Sequence, residues 1–304
     1  MITKGYEVKN IDWHEPKIPN RRNLWENVNI INYGEFEKAV ISFNPDYIVH
    51  LAARTDLDGK VLEDYDQNIT GVENLMKIIH KLPNLKKIII TSSKFVTRNG
   101  YKIKNQQDYC PHTKYGESKV ETEMRVWNDA PDCDWCIIRP TSIWGPWFGV
   151  PYRNFFDMVM RRMYFHIGHI KCHKTYGYIG NAIYQIEQLL FNETKDESNK
   201  VFYIGDEPSY EINEWADEIA AEIGFKIPTM PVWFVKCLAK FGDFLGLFHI
   251  HFPMQSFRFG NMTNDGINDM SNTYKIAPEM PYTRFEGTKE TIAWINKYEK
   301  REEK

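Results

Sequence analysis

The sequence has few cysteines, little net charge and no long uninterrupted apolar run, and each shortage excludes a class of protein. Five cysteines, an odd number in 304 residues, do not suit a disulfide framework and favour a reducing compartment. A formal net charge of −3 gives no electrostatic reason to expect nucleic acid. The most apolar region, 231–252, is interrupted by Lys236, Lys240 and Asp243, so we predict no transmembrane helix. Because no signal peptide opens the sequence, we expect a cytoplasmic protein.

The first half of the sequence alternates short apolar runs with segments of helical periodicity. The helical segments are 61–82 and 115–127. The runs typical of strands are 6–11, 29–31, 47–51, 87–91 and 135–139. Strands that alternate with helices predict parallel pairing, so the predicted fold class is α/β with a doubly wound sheet.

Small or polar residues follow the carboxyl ends of these predicted strands. They are Asp12, Ala52, Ala53, Ser93 and the segment after Arg139. In doubly wound sheets, ligands bind beyond the carboxyl ends of the strands. The sequence therefore predicts a ligand site at this edge of the sheet.

Tyr115 and Lys119 are four residues apart in a segment that is predicted to be helical. This spacing places the phenol and the ammonium group on one face of the helix. A neighbouring cation favours the phenolate and brings a phenol, whose ordinary pKa is about 10, towards neutral pH. The pair is suited to proton transfer, with the Ser93 hydroxyl available to hold a substrate oxygen. A Tyr-x-x-x-Lys spacing is expected about once by chance at this composition, so the spacing alone does not establish a catalytic pair. The surrounding motifs must provide that evidence.

Five motifs occur in an order and at a spacing that resemble one family. They are His50-Leu-Ala-Ala-Arg54, Asn68-Ile-Thr-Gly-Val-Glu-Asn-Leu75, Thr91-Ser-Ser93, Tyr115-Gly-Glu-Ser-Lys119 and Arg139-Pro-Thr-Ser-Ile-Trp-Gly-Pro146. Together they resemble the extended short-chain dehydrogenases/reductases, which form the NAD-dependent epimerase/dehydratase family. Segments 176–181, 201–206 and 286–294 agree, so the likeness covers nearly the whole chain and implies a Rossmann-like sheet.

The resemblance implies that Ser93, Tyr115 and Lys119 are catalytic. Tyr115 would take a proton from a substrate hydroxyl while hydride passes to nicotinamide. Lys119 would lower the pKa of Tyr115 and bind the nicotinamide ribose, and Ser93 would steady the substrate oxygen.

The cofactor implied by the resemblance is NAD. Asp12 looks like the acceptor for the ribose 2′-hydroxyl, which favours NAD. Arg21 and Arg22 follow it and leave NADP as the less favoured alternative. Asn29 takes the place of an adenine-contacting aspartate. The other implied cofactor residues are Leu51, Ala52, Ala53, Asn68, Tyr115, Lys119 and Pro140.

One part of the family pattern does not occur in this sequence. The family begins with a strand and a Gly-x-x-Gly-x-x-Gly turn that approaches the pyrophosphate, and no such motif is found in the 304 residues. We expect about 20 to 25 residues of the family's first strand, turn and helix to be missing, as in a gene fragment or after a misplaced start codon. A natural loss of cofactor binding is the rarer explanation. The family's first strand is central in the strand order 3-2-1-4-5-6. Without it, the edges of the two strands that normally flank it would be unpaired.

Three residues are candidates for substrate binding by position. Ser142 stands where nucleotide-sugar enzymes of the family often carry Asn, which puts pyrophosphate recognition by that route in doubt. Lys174 takes the place of a phosphate-binding Arg, and Arg258 is a second candidate cation; a solvated surface is the alternative for both. Lys94 and Phe95 replace the Asp-Glu pair of the 4,6-dehydratases, which leaves C4 epimerisation or a simple oxidation or reduction.

The leading hypothesis is an NAD-dependent epimerase or oxidoreductase acting on a nucleotide sugar, with Tyr as general base. One alternative is an NAD(P)-dependent reductase of a non-nucleotide carbonyl or hydroxyl substrate, which Ser142 suggests. Another is a non-catalytic binding protein that has lost the cofactor site. No metal is predicted: the run His166 to His173 and the pair Cys133 and Cys136 are better explained as a polar loop and a strand entrance.

The resemblance also implies a division of the chain and a mode of assembly. Residues 1–146 would form the NAD-binding domain, with 175–205 returning to it. Residues 147–174 and 206–304 would form the substrate lobe. A homodimer would pack through 61–82 and 115–127. The aromatic segment 241–252 is expected to pack in a core, with a lid or a contact with a partner or membrane as alternatives.

Overall fold

The computed structural model describes residues 1–192, 199–250 and 252–302. The strands are β1 (Asn10–Asp12), β2 (Trp25–Asn27), β3 (Tyr47–His50), β4 (Lys87–Thr91), β5 (Asp134–Pro140), β6 (Ser142–Trp144), β7 (His166–Ile167), β8 (His173–Lys174), β9 (Tyr176–Tyr178), β10 (Val201–Ile204), β11 (Tyr210–Glu211) and β12 (Thr229–Met230). The helices are α1 (Tyr33–Phe43), α2 (Asp66–Ile79), α3 (Lys114–Asn128), α4 (Arg153–Met160), α5 (Ile179–Phe191), α6 (Ile212–Glu222), α7 (Val232–Gly246), α8 (Ser256–Thr263), α9 (Ser271–Ile276) and α10 (Arg284–Glu302).

The central sheet has four strands in the order β10-β5-β4-β3. β3, β4 and β5 pair in parallel, with Val49 opposite Ile89 and Ile89 opposite Cys136. Ile88, Ile89 and Ile90 are fully buried because helices cover such parallel strands on both faces. The α/β class predicted from the alternation of strands and helices is confirmed.

β1 and β2 form a separate parallel sheet of two strands. Within the described residues, no strand pairs with the free edge of β1 or with that of β3. The two edges are the ones expected to be unpaired in the strand order of the family.

The described chain divides into two compact units. Unit 1 comprises Met1–Arg139 and Gln188–Phe202, and unit 2 comprises Pro140–Glu187 and Tyr203–Lys304. The core of unit 1 includes Val72, Leu75 and Ile90, and that of unit 2 includes Trp144, Phe156 and Trp215. The division at residues 146 and 147 that the resemblance implied stays a prediction.

The expectation of core packing for 241–252 is wrong for most of its aromatic residues. Phe241, Phe244 and Phe248 are exposed, and among the described aromatic residues of this segment Phe252 alone packs partly against a core cluster. None of the helices among the described residues has the length and apolar character needed to cross a bilayer.

Candidate active site

Helix α3 carries Tyr115 and Lys119 on its buried face. The helix begins after Thr113, whose hydroxyl oxygen accepts a hydrogen bond from the backbone N–H of Gly116 at 3.0 Å. Tyr115, Ser118 and Lys119 are all buried, because positions three and four apart share one side of a helix. The structure therefore places the predicted base and its cation on the same face.

The Lys119 ammonium is held against the end of β4. Its Nζ donates to the carbonyl oxygen of Thr91 at 2.9 Å. Burial lowers the pKa of Lys119 to about 8, and the carboxylate of Glu123 opposes this shift. Lys119 thus changes charge close to neutral pH.

His50, at the end of β3, is a buried neutral group in this neighbourhood. Burial lowers its pKa to about 3, and the charge of Lys119 adds to the effect. Its Nε2 atom has no hydrogen-bond partner among the described residues, although His50 lines the cleft described below. Such a buried and unpaired polar atom calls for a partner that the described residues do not supply.

Ser93 lies on a turn that packs against α3. Its Oγ accepts the backbone N–H of Phe95 at 3.2 Å, and it caps the 3-10 helix Lys94–Val96. The rings of Phe95 and Tyr115 meet edge to face at 5.9 Å. A Cβ at Gly116 would lie 2.3 Å from the carbonyl oxygen of Phe95, so only glycine permits this close approach. The structure thereby brings the turn of Ser93 to the ring of Tyr115.

Several of the predicted cofactor residues line one cleft in unit 1. The cleft has a volume of about 950 Å³ and is bordered by both β1 and β3. This volume suits a ligand of cofactor size. The predicted residues that line it are Asp12, Asn29, Leu51, Ala52 and Ala53.

The polar residues of the β1 side are held by local contacts. Asp12 accepts the backbone N–H of His14 at 2.8 Å, and Asn29 accepts that of Ile31 at 3.1 Å. Arg22, a candidate for a 2′-phosphate, is paired with Glu15 at 2.8 Å.

Asn68 is not among the residues that line the cleft. It is buried, and its amide oxygen accepts the N–H of Arg54 at 2.7 Å. Its amide nitrogen donates to the carbonyl oxygen of Arg54 and to the Ser118 hydroxyl, each at 3.0 Å. Asn68 therefore ties the loop after β3 to α3, which is a positioning contact.

A family model described as "NAD dependent epimerase/dehydratase family" matches residues 1–183. The chain belongs to this family. The resemblance inferred from the five motifs is thereby confirmed.

Two curated relatives and one solved structure illustrate the range of the family. The chain is 27% identical over 257 residues to a 3-beta-hydroxysteroid dehydrogenase of Mycolicibacterium neoaurum, covering 76% of this chain and 68% of that protein. It is 31% identical over 194 residues to an N-acetyl-alpha-D-glucosaminyl-diphospho-ditrans,octacis-undecaprenol 4-epimerase of Escherichia coli O157:H7, covering 61% and 57% of the two chains. The UDP-glucose 4-epimerase of Thermotoga maritima superposes with a TM-score of 0.72 at 19% identity, covering 98% of this chain and 93% of that one, which confirms the Rossmann-like fold.

The remaining predicted residues of this epimerase/dehydratase chain lie in unit 2. Pro140 ends β5, and Ser142 opens β6, where it is buried and hydrogen-bonded to the Tyr152 phenol. Lys174 is half-buried on β8, and Arg258 is exposed on α8. The substrate-binding roles of Ser142, Lys174 and Arg258 stay predictions.

Sequence reasoning missed a buried ion pair next to Lys119. Arg139 donates from Nε and Nη2 to the two carboxylate oxygens of Glu123 at 2.8 and 2.7 Å. The Tyr109 hydroxyl donates to the same carboxylate at 2.9 Å. The sequence contained one indication of this pair. Glu123 is four residues after Lys119, which places it on the same helix face as Tyr115 and Lys119.

Two of the metal-capable residues, His166 and Cys136, have local surroundings that explain them without a metal. The two ring nitrogens of His166 contact Asn213 at 2.9 Å and Asp217 at 3.0 Å. Cys136 is buried within β5. Among the described residues, no cluster of three or more His, Cys, Asp or Glu side chains has a geometry that could hold a metal ion.

Proposed function

We propose that the chain is an NAD-dependent epimerase or oxidoreductase of a nucleotide sugar, with Tyr115 as general base. The observation that carries the proposal is the convergence of Tyr115 and Lys119 on the buried face of α3, with the turn of Ser93 packed against the Tyr115 ring. Membership of the family supplies the reaction class.

The residues that line the cleft of unit 1 are suited to the ribose of this family's cofactor, although the Gly-rich turn that approaches the pyrophosphate does not occur in the sequence. The Asp12 carboxylate is suited to accept hydrogen bonds from a ribose, and Leu51, Ala52 and Ala53 give the cleft an apolar wall. His50 Nε2 adds a buried polar atom that needs a partner. When bound, NAD supplies the hydride acceptor and donor for the substrate carbon.

The protein residues divide the proton chemistry between them. Tyr115 accepts the proton of the substrate hydroxyl as the carbon is oxidised, which leaves a carbonyl on the sugar. Lys119 stabilises the phenolate while it is cationic. The Ser93 hydroxyl holds the substrate oxygen during the transfer. In an epimerase, Tyr115 would return the proton to the carbonyl oxygen while hydride from bound NAD reached the opposite face of the carbonyl carbon, which would invert the configuration of that carbon.

A nucleotide sugar is supported by the likeness to the Thermotoga UDP-glucose 4-epimerase, and a sugar linked to a diphosphate by the name of the Escherichia coli relative. The alternative, a hydroxyl substrate without a nucleotide, is favoured by Ser142 and by the steroid dehydrogenase relative. In either case the Tyr115 chemistry is the same.

Replacement of Tyr115 by Phe tests the proposal directly. We expect turnover to fall by about 10² to 10⁴-fold, since the hydroxyl that accepts and returns the proton is removed. The control is Tyr101→Phe, whose hydroxyl donates to Asp108 in the segment that precedes α3. The assay follows NADH absorbance and sugar epimers for a panel of UDP-sugars, a polyprenyl-diphospho sugar and a 3β-hydroxysteroid.

Calorimetry with NAD separates binding from catalysis. It is performed on the 304-residue chain and on a chimera that carries the first strand and Gly-x-x-Gly-x-x-Gly turn of a relative at its N-terminus. Failure of both to bind NAD or NADP would overturn the proposal and favour a non-catalytic binding protein. Binding without turnover on any panel member would reject the substrate classes instead.

A further inference from the structure

Helix α7 is apolar on two opposite faces, and the inner face is fully explained by packing within unit 2. Val235 and Ala239 are buried in a cluster with Ile167 and Met254. A Cβ at Gly242 would meet the carbonyl oxygen of Met254 at 1.9 Å, so the helix lies directly on that segment. Core formation therefore accounts for only some of the apolar residues of α7.

The opposite side of α7 presents large apolar side chains to solvent. Positions 233, 237, 241, 244 and 248 recur every three or four residues, which places them along one side of the helix and the turn that follows it. Contiguous exposed aromatics of this kind mark an interaction surface. The exposed side chains, called here the α7 outer face, are Trp233 (67% exposed), Phe234 (39%), Phe241 (52%), Phe244 (54%), Leu247 (76%) and Phe248 (61%).

The charged residues beside the α7 outer face indicate what kind of surface could bind there. Lys236 and Lys240 are exposed on the same helix. The carboxylate of Asp243 accepts the backbone N–H of Ser256 at 3.0 Å and so is engaged at the start of α8. Asp243 keeps its negative charge, so the side chains beside the aromatics carry two positive charges and one negative charge. The excess of positive charge complements an anionic surface.

The chemistry of the side chains favours lipid over protein. The α7 outer face has no polar side chain to hydrogen-bond a protein partner except the Trp233 indole, whereas Trp and Phe with flanking Lys are typical of helices that lie in a bilayer interface. We propose that the α7 outer face docks on the surface of an anionic phospholipid bilayer. The aromatic rings enter the headgroup region, and Lys236 and Lys240 reach the lipid phosphates.

Sedimentation with sucrose-loaded vesicles tests this docking with the full chain. We expect binding to phosphatidylcholine mixed with phosphatidylglycerol, and weaker binding to phosphatidylcholine alone or at high salt. The double variant Phe241→Ser with Phe244→Ser should lose on the order of tenfold or more in partitioning. Lys236→Gln with Lys240→Gln should lose mainly the preference for the anionic lipid.

The matched control replaces exposed isoleucines on other elements, Ile183→Ser with Ile267→Ser, and should bind like the parent chain. Circular dichroism verifies that each variant is folded. Absence of binding by the parent, or equal binding by the Phe241 and Phe244 variant, would overturn the proposal. So would sedimentation velocity showing a dimer that this variant dissociates, since the face would then be covered by a second copy. Lipid docking requires no turnover, so its outcome is independent of the proposed reaction.

Discussion

Glu123 is a buried carboxylate that links the charge of Lys119 to the rest of unit 1. It is paired with Arg139 on β5 and bonded by Tyr109, and it favours the cationic form of Lys119. Burial of Lys119 acts in the opposite direction and lowers its pKa. The charge state of the proposed catalytic lysine is thus set by its burial and by the Glu123 carboxylate on the same helix.

Glu123→Gln should lower the pKa of Lys119 below its value of about 8, because the carboxylate that favours the ammonium is removed. The alkaline limb of the pH–rate profile should move to lower pH, since Lys119 must be cationic to stabilise the Tyr115 phenolate. The lysine pKa is measured directly by carbon-13 NMR titration of the side chain.

Two variants control for structural damage at this pair. Glu121→Gln lies on the same helix, where its carboxylate pairs with Arg125 at 2.8 Å, and should leave the Lys119 titration unchanged. Arg139→Gln breaks the same buried pair but keeps the Glu123 carboxylate, so it should not lower the Lys119 pKa. An equal fall in Glu123→Gln and Arg139→Gln would contradict the electrostatic explanation.

His50 should make the fold sensitive to acid. Its pKa is about 3 when folded against an ordinary value of 6.5, so the unfolded state binds more protons between these limits. The unfolding free energy therefore falls as pH drops through this range, by at most about 1.4 kcal/mol per pH unit. His50→Asn lacks this term, and urea unfolding at about pH 7 and about pH 5 should show a smaller loss than in the parent. Equal losses would show that His50 is not the group responsible.

At the scale of elements, the contact between α3 and the Ser93 turn depends on one glycine. Gly116→Ala should destabilise the fold by about 1 to 3 kcal/mol and reduce turnover, because the new methyl group meets the Phe95 carbonyl at 2.3 Å. Gly34→Ala, near the start of α1, meets only Asn32 at 3.9 Å and should be neutral or stabilising by up to about 1 kcal/mol. Urea unfolding of the two variants makes the comparison. A neutral Gly116→Ala would mean that the turn can move away from α3.

Element boundaries were predicted less well where polar side chains compete for the backbone. The apolar run 29–31 was assigned to a strand, but the strand is β2, at Trp25–Asn27. Asn29 bonds the N–H of Ile31, and Asn32 bonds that of Glu35 and starts α1. These local bonds replace strand pairing.

At the scale of the whole molecule, each unit has its own apolar core. Trp215→Ala should cost about 3 to 5 kcal/mol of unfolding free energy, because the ring is buried among Trp144, Phe155 and Tyr210 and its indole donates to Thr288 at 3.1 Å. Trp233→Ala, which removes an exposed ring, should change stability by at most about 0.5 kcal/mol. Urea unfolding followed by circular dichroism tests both, and a large loss for Trp233→Ala would show that its face is covered in solution.

The sequence by itself determined the order of elements in the Rossmann-like half and the common face of Tyr115 and Lys119. Both follow from periodicity, since side chains four apart in a helix coincide whatever surrounds them. The family assignment depended on motifs in register, which are also properties of the linear chain.

The tertiary structure alone decided what those residues touch. The pairing of Glu123 with Arg139, the anchoring of Arg54 by Asn68 and the gap between β1 and β3 all depend on segments that meet only when the chain folds. The exposure of the α7 outer face is of the same kind. A helix with apolar residues on two opposite faces could bury either face. Only the arrangement of the neighbouring elements determines which face of the helix is covered.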